Sequence, residues 1–209
     1  MVMLKIIGVT GGIGSGKSTV SRILKDLGTA VVDADMVYKL VTCREGSALK
    51  ELTHYFGNGI LTPDGELDRE KMSELVFEDA VKLHALNTIT HKYVLEKVKE
   101  SIEAIEALGN HDVVVYDCPL PVEHGFLDLV DEVWVVMADR STRIDRIVQR
   151  NGCTPEEALR RINSQMKDEE YLKIADEVIY NNSSIEELEK VVVKLFLQKK
   201  QMPRNGKGG

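Results

Sequence analysis

The sequence predicts an α/β protein: a parallel five-stranded sheet flanked by helices, with a helical insertion and a helical lid. Three observations predict it. Short apolar runs of strand length recur at residues 4–9, 30–32, 113–116, 133–137 and 177–180. Helical patterns fill the intervals, and strands alternating with helices pack as a parallel sheet covered on both faces. One interval, from Met36 to His111, is too long for a single crossover.

The first strand, residues 4–9, runs into glycines. Residues 17–27 then place Val20, Ile23, Leu24 and Leu27 on one helical face, and Gly28 suits the end of that helix. The second strand leads into Asp33-Ala34-Asp35. The long interval reads as helices over 47–56, 69–77 and 81–108, with Thr62-Pro63-Asp64-Gly65 as a turn. The third strand ends at Asp117, followed by Cys118-Pro119. After the fourth, Arg143, Arg146 and Arg150 stand at i, i+3 and i+7, one stripe of a helix. Thr154-Pro155-Glu156-Glu157 starts another helix, with Thr as cap, Pro at the first position and Glu at the third. That helix is expected to carry Arg160, Arg161 and Gln165. The expected organisation is a core of residues 1–35, 112–139 and 171–200, an insertion over 36–111, a lid over 140–170 and a flexible polar tail over 201–209.

The 209 residues are 43% hydrophobic and 29% charged, enough apolar content for a globular core. The longest apolar run, residues 133–138, is far short of a membrane span, and the N-terminus lacks a secretory cleavage pattern. Cys43, Cys118 and Cys153 are odd in number and far apart, so they read as reduced thiols. A cytoplasmic protein is expected, with no membrane partner. The net charge of −7 argues against a general nucleic-acid binder. It still permits a polyanionic small ligand, which a local basic cluster can hold. The five histidines make no metal spacing.

The chemistry concentrates in GVTGGIGSGKST, residues 8–19. Gly11, Gly16, Lys17 and Ser18 satisfy G-x-x-x-x-G-K-[ST] between a strand and a helix, the context in which that pattern cradles phosphates. Glycines let successive N–H groups point inward around a phosphate chain, and the following helix presents its positive end. Lys17 would reach the outer phosphates of ATP. Ser18 would hold Mg²⁺, with Thr19 behind it. Asp33 and Asp35 point the same way on an extended segment. One could accept a proton from an attacking hydroxyl and the other help hold Mg²⁺; capping the next helix is the competing role, weighed evenly for Asp33. Asp117 ends its strand as a candidate metal or active-site acid. The arginines of 140–161 would close over ATP and stabilise the transferring phosphoryl group. Glu123 and His124 follow the third strand and are candidates to line the site.

The chain resembles the dephospho-coenzyme A kinase family from about residue 6 to 188. The likeness is carried by the phosphate loop, VVDAD, YFGNGIL with GELDRE, LNTITH, DCPL, RIVQRNG, RRINSQ and ADEVIYNN, in that order. It implies a P-loop NTPase-type kinase fold. It implies transfer of the γ-phosphoryl group of ATP to the ribose 3′-hydroxyl of dephospho-coenzyme A, giving coenzyme A. Carried over by position, Asp35 is the base, with Lys17 and Arg146 beside it in catalysis. Gly12, Ile13, Gly14, Ser15, Gly16, Lys17, Ser18, Thr19 and Arg150 hold ATP, and Ser18 holds the Mg²⁺. Asp33, Arg69, His91, Asp117, Leu120, Glu123 and Arg161 fall on the acceptor side. The family usually has His-Pro where this chain has His91-Lys92. A monomer or weak homo-oligomer is expected. Two other readings remain: a nucleoside or nucleotide kinase of similar fold, and a nucleotide-binding protein without chemistry.

Overall fold

A computed structural model describes residues 4–119 and 125–200. The chain divides into two compact units, one of residues up to Val32 and from Ile102 onward, the other Asp33–Ser101.

The first unit is built on β1 (Lys5–Thr10), β2 (Ala30–Asp33), β3 (Val113–Asp117), β4 (Glu132–Met137) and β5 (Glu177–Tyr180), in the order β2-β3-β1-β4-β5. The strands expected from the apolar runs are all present. β1, β3 and β4 are buried at every residue, as strands covered on both faces must be. β1 pairs in parallel with β3 and β4, and β4 with β5. The chain leaves β1 toward the β2 side of the sheet, while β4 lies on the other flank. The end of β1 is therefore a topological switch point, where open α/β sheets bind ligands.

Helices close the sheet. α1 (Lys17–Asp26) and the final helix, α10 (Ile185–Lys200), pack Val20, Ile23, Leu24, Leu188, Val192 and Phe196 into one core with Ile7, Val9, Val115 and Trp134. Phe126 of α6 (Phe126–Leu129) lies over Gly8 of β1, and α7 (Arg140–Asn151), α8 (Pro155–Asn163) and α9 (Asp168–Ile174) lie between β4 and β5 in the chain. α7 and α8 share a small core of Ile147, Ala158 and Ile162, against which Ile13 packs. Thr154 and Glu157 form the expected capping box at the start of α8. The helix ends at Asn163, with Ser164 as its C-cap, so Gln165 lies beyond it and not on it as expected.

The second unit contains α2 (Ala34–Thr42), α3 (Ser47–Phe56), α4 (Arg69–Phe77) and most of α5 (Ala80–Leu108). Its core joins Leu49, Leu52, Ile60, Leu67, Met72, Val76 and Ile89. The expected turn forms, with Gly65 N–H donating to Thr62 O at 2.9 Å. Lys92 sits in mid-helix on α5, where a proline would remove a backbone donor and clash with the preceding turn.

Candidate active site

β1 delivers the chain at Thr10 into the glycine-rich loop, and α1 begins directly after it. Gly16 is the N-cap, with φ +96°. A Cβ there would be strained and would strike Asn181 Nδ2, so only glycine opens this helix. Among the described residues no side chain caps α1, and no acid stands in its first turn. Its positive end is thus left to an anion.

Side chains from outside the loop take its outward carbonyls. Arg143 Nε donates to Ile13 O at 2.9 Å. Arg146 Nη1 donates to Gly14 O and Ser15 O, each at 3.3 Å, and Asn181 Nδ2 donates to Ser15 O at 2.8 Å. In a trans peptide the C=O and the following N–H point opposite ways. Carbonyls held on the arginine side therefore turn the amides of Gly14 and Gly16 the other way. Among the described residues Ser15 Oγ and Thr10 Oγ1 are buried with no hydrogen-bond partner, a cost that a bound polar group would relieve.

Register brings Asp117 beside Val9 at the root of the loop. Lys17 Nζ contacts the Asp117 carboxylate, both largely buried. The first lysine of α1 and the last residue of β3 thus meet across 100 positions of sequence. Ser18 is exposed on the first turn of α1. Among the described residues no cluster of three or more His, Cys, Asp or Glu is placed to hold a metal. Ser18 Oγ at the start of α1 and the Asp117 carboxylate at the root of the loop are hard oxygen donors, and Mg²⁺ takes one or two such protein ligands beside phosphate oxygens and water.

In the second unit, Asp33 Oδ1 accepts from the N–H groups of Asp35 at 2.8 Å and Met36 at 3.1 Å, so this acid caps α2. Asp35 is exposed in the first turn of that helix. One turn on, Tyr38 lies under Arg69, whose guanidinium carbon is 5.4 Å from the ring centroid. Burial pushes the Tyr38 phenol up, while the Arg69 charge pulls it down. His91 is half-buried on α5. Its neighbour Lys92 is bound to Glu51 at 3.3 Å, and Tyr93 donates to the same oxygen at 2.7 Å. The Tyr93 hydroxyl and then Lys92 hold the Glu51 carboxyl below its ordinary range.

The structure thus brings Lys17, Asp117, Arg146 and the loop together, and separately Arg69 with Tyr38, one turn along α2 from Asp35. It does not bring Arg150 or Arg161 into the first group. Arg150 is exposed with Nε on Asn151 Oδ1 at 3.0 Å, and Arg161 is exposed on α8. Leu120 and Glu123 lie outside the described residues, as does His124. Sequence reasoning missed Arg143 and Asn181 as loop partners. It placed Arg143 in one stripe with Arg146 and Arg150, yet Arg143 is only 3% exposed.

The sequence profile of dephospho-CoA kinase matches residues 5–187. The dephospho-CoA kinase of Carboxydothermus hydrogenoformans is 45% identical over 186 residues, 89% of this chain and 90% of the relative. A Thermus thermophilus crystal structure aligns with a TM-score of 0.79 at 33% identity, covering 94% of this chain and 98% of that one. Dephospho-CoA kinase from Campylobacter jejuni aligns with a TM-score of 0.71 at 27% identity, covering 95% and 98%.

Proposed function

The chain belongs to the dephospho-CoA kinase family, and from that premise we propose which of its residues carry the ATP-dependent phosphorylation of dephospho-CoA. The loop amides of residues 14–19 and the start of α1 bind the phosphate chain of ATP. Lys17 exchanges its contact with Asp117 for the β- and γ-phosphates. Ser18 would hold Mg²⁺, which would neutralise phosphate charge in the transfer. Asp35 takes the proton of the acceptor 3′-hydroxyl. That oxygen bonds to the γ-phosphorus as the bond to the β–γ bridging oxygen breaks, and ADP leaves with the electron pair. Little covalent chemistry falls to the protein, so positioning and charge do most of the work.

The observation that carries this reading is the loop itself. Its carbonyls are tied back by Arg143, Arg146 and Asn181, and an uncapped helix start follows. On the acceptor side, Arg69 over Tyr38 offers a guanidinium to a phosphate of dephospho-CoA. Among the described residues no helix is long and apolar enough to cross a membrane. The three cysteines are free thiols, which suits the reducing cytoplasm we propose for it. We propose a monomer or weak homo-oligomer.

The test is ADP release from Mg-ATP with dephospho-CoA, adenosine or AMP as acceptor, with the product weighed. Release that needs dephospho-CoA and adds one phosphate to it is the expected result. Release driven by adenosine or AMP would discard the acceptor and favour the nucleoside or nucleotide kinase reading.

A further inference from the structure

Ile13 in the phosphate loop is gripped at both of its backbone polar groups by side chains more than a hundred residues away. Its carbonyl accepts from Arg143 Nε at 2.9 Å, and its N–H donates to Gln165 Oε1 at 2.7 Å. Arg143 is in turn anchored through Nη1 to Asp168 Oδ1 at 2.9 Å. The guanidinium lies so close over the loop that a Cβ on Gly12 would collide with Nη2 and Cζ. The missing side chain at Gly12 therefore leaves room for an arginine.

The two bonds fix two successive peptide planes. The Ile13 N–H belongs to the plane shared with Gly12, and the Ile13 carbonyl to the plane shared with Gly14. Each plane is rigid. With the Ile13 carbonyl held on Arg143, the Gly14 N–H faces away from Arg143, the direction in which a phosphate-cradling loop needs its donors. Glycine at 14, with φ +80°, has the freedom to turn that amide elsewhere, so something must hold it.

We propose that Arg143, Asp168 and Gln165 form a clasp that presets the phosphate loop for ATP, acting as positioning residues through Ile13. The inference rests on the reading of this loop as the ATP site. Arg143 holds the loop by the direction of its Nε–H, with Asp168 fixing the guanidinium plane. Lysine keeps the charge and can pair with Asp168, yet it has no donor in that fork geometry. Gln165 and Asp168 come from the loop after α8 and from the start of α9. The clasp thereby ties the stretch after the arginine helices to the residue that opens the nucleotide site.

The test measures Mg-ATP binding by calorimetry on the full chain, with KM for both substrates alongside. Gln165→Ala and Arg143→Lys are each expected to weaken ATP binding about tenfold. The KM for dephospho-CoA should stay within twofold, and circular dichroism should be unchanged. The double variant should bind scarcely more weakly than either single one, since both act on one residue. Asp168→Asn should weaken binding about threefold. Wild-type ATP affinity in Arg143→Lys would reduce the pair to a structural ion pair and overturn the clasp. So would equal rises in both KM values. If Arg143→Lys fails to fold, Gln165→Ala, in a half-buried loop, decides alone. Failure of the wild-type chain to bind ATP would overturn the underlying reading of the loop, a result distinct from unchanged binding in the variants.

Discussion

The phosphate loop and the start of α2 both present charged side chains, but they hold them differently. Around the loop, Lys17, Arg143 and Arg146 are buried or half-buried and bonded to backbone carbonyls or to a carboxylate. In the second unit, Asp35 and Arg69 are exposed, and Arg69 rests on the face of Tyr38. The first arrangement is built before any ligand arrives and has already met the entropy of ordering its side chains. The second leaves that ordering to the substrate. Variants of the loop should therefore change ATP binding and transfer steeply, and variants of the second unit's surface should change acceptor KM more gently.

The largest expected effect is at Lys17. Lys17→Ala should lower transfer by at least two orders of magnitude, read as ADP release, while thermal melting still shows a cooperative transition. Next comes Arg69→Ala, expected to raise the KM for dephospho-CoA about tenfold with ATP affinity unchanged. A matching fall in ATP affinity would erase the contrast between the two regions. Leu52→Ala, in the core of the second unit and fully buried, should cost about 2–5 kcal/mol in denaturant unfolding. The smallest effect is at alkaline pH. Burial pushes the Tyr171 phenol up to about 12, against about 10 in an unfolded chain. Below pH 10 both states keep the proton and nothing is lost. Between pH 10 and 12 the unfolded state ionises first, so stability falls as pH rises. Tyr171→Phe lacks this phenol and should show a shallower decline over that window, at the expense of the bond to Pro119 O at neutral pH.

The same contrast governs what could be read from sequence. The loop declared itself because its chemistry is local: glycines, Lys17 and Ser18 lie within a few residues between a strand and a helix. Helix limits at Ser47–Phe56 and Arg69–Phe77 were equally legible, and so was the Thr154–Glu157 box, since caps and periodicity act over one or two turns. The partners of the loop were not. Gln165 and Asn181 reach it across 152 and 166 positions, which no local pattern encodes. Arg143 shares the helical phase of Arg146, and only the missing side chain at Gly12 reveals that a guanidinium fits there. Asp33 had two open roles. The structure uses it as a cap, because Asp35 and Met36 offer their N–H groups at the start of α2.

The division of labour between the two regions is tested most directly at Asp35. Asp35→Asn should leave Mg-ATP affinity within twofold of the wild type and lower the turnover of dephospho-CoA at least a hundredfold. Turnover within tenfold of the wild type would remove Asp35 as the base, and a parallel loss of ATP affinity would contradict the separation of the two roles.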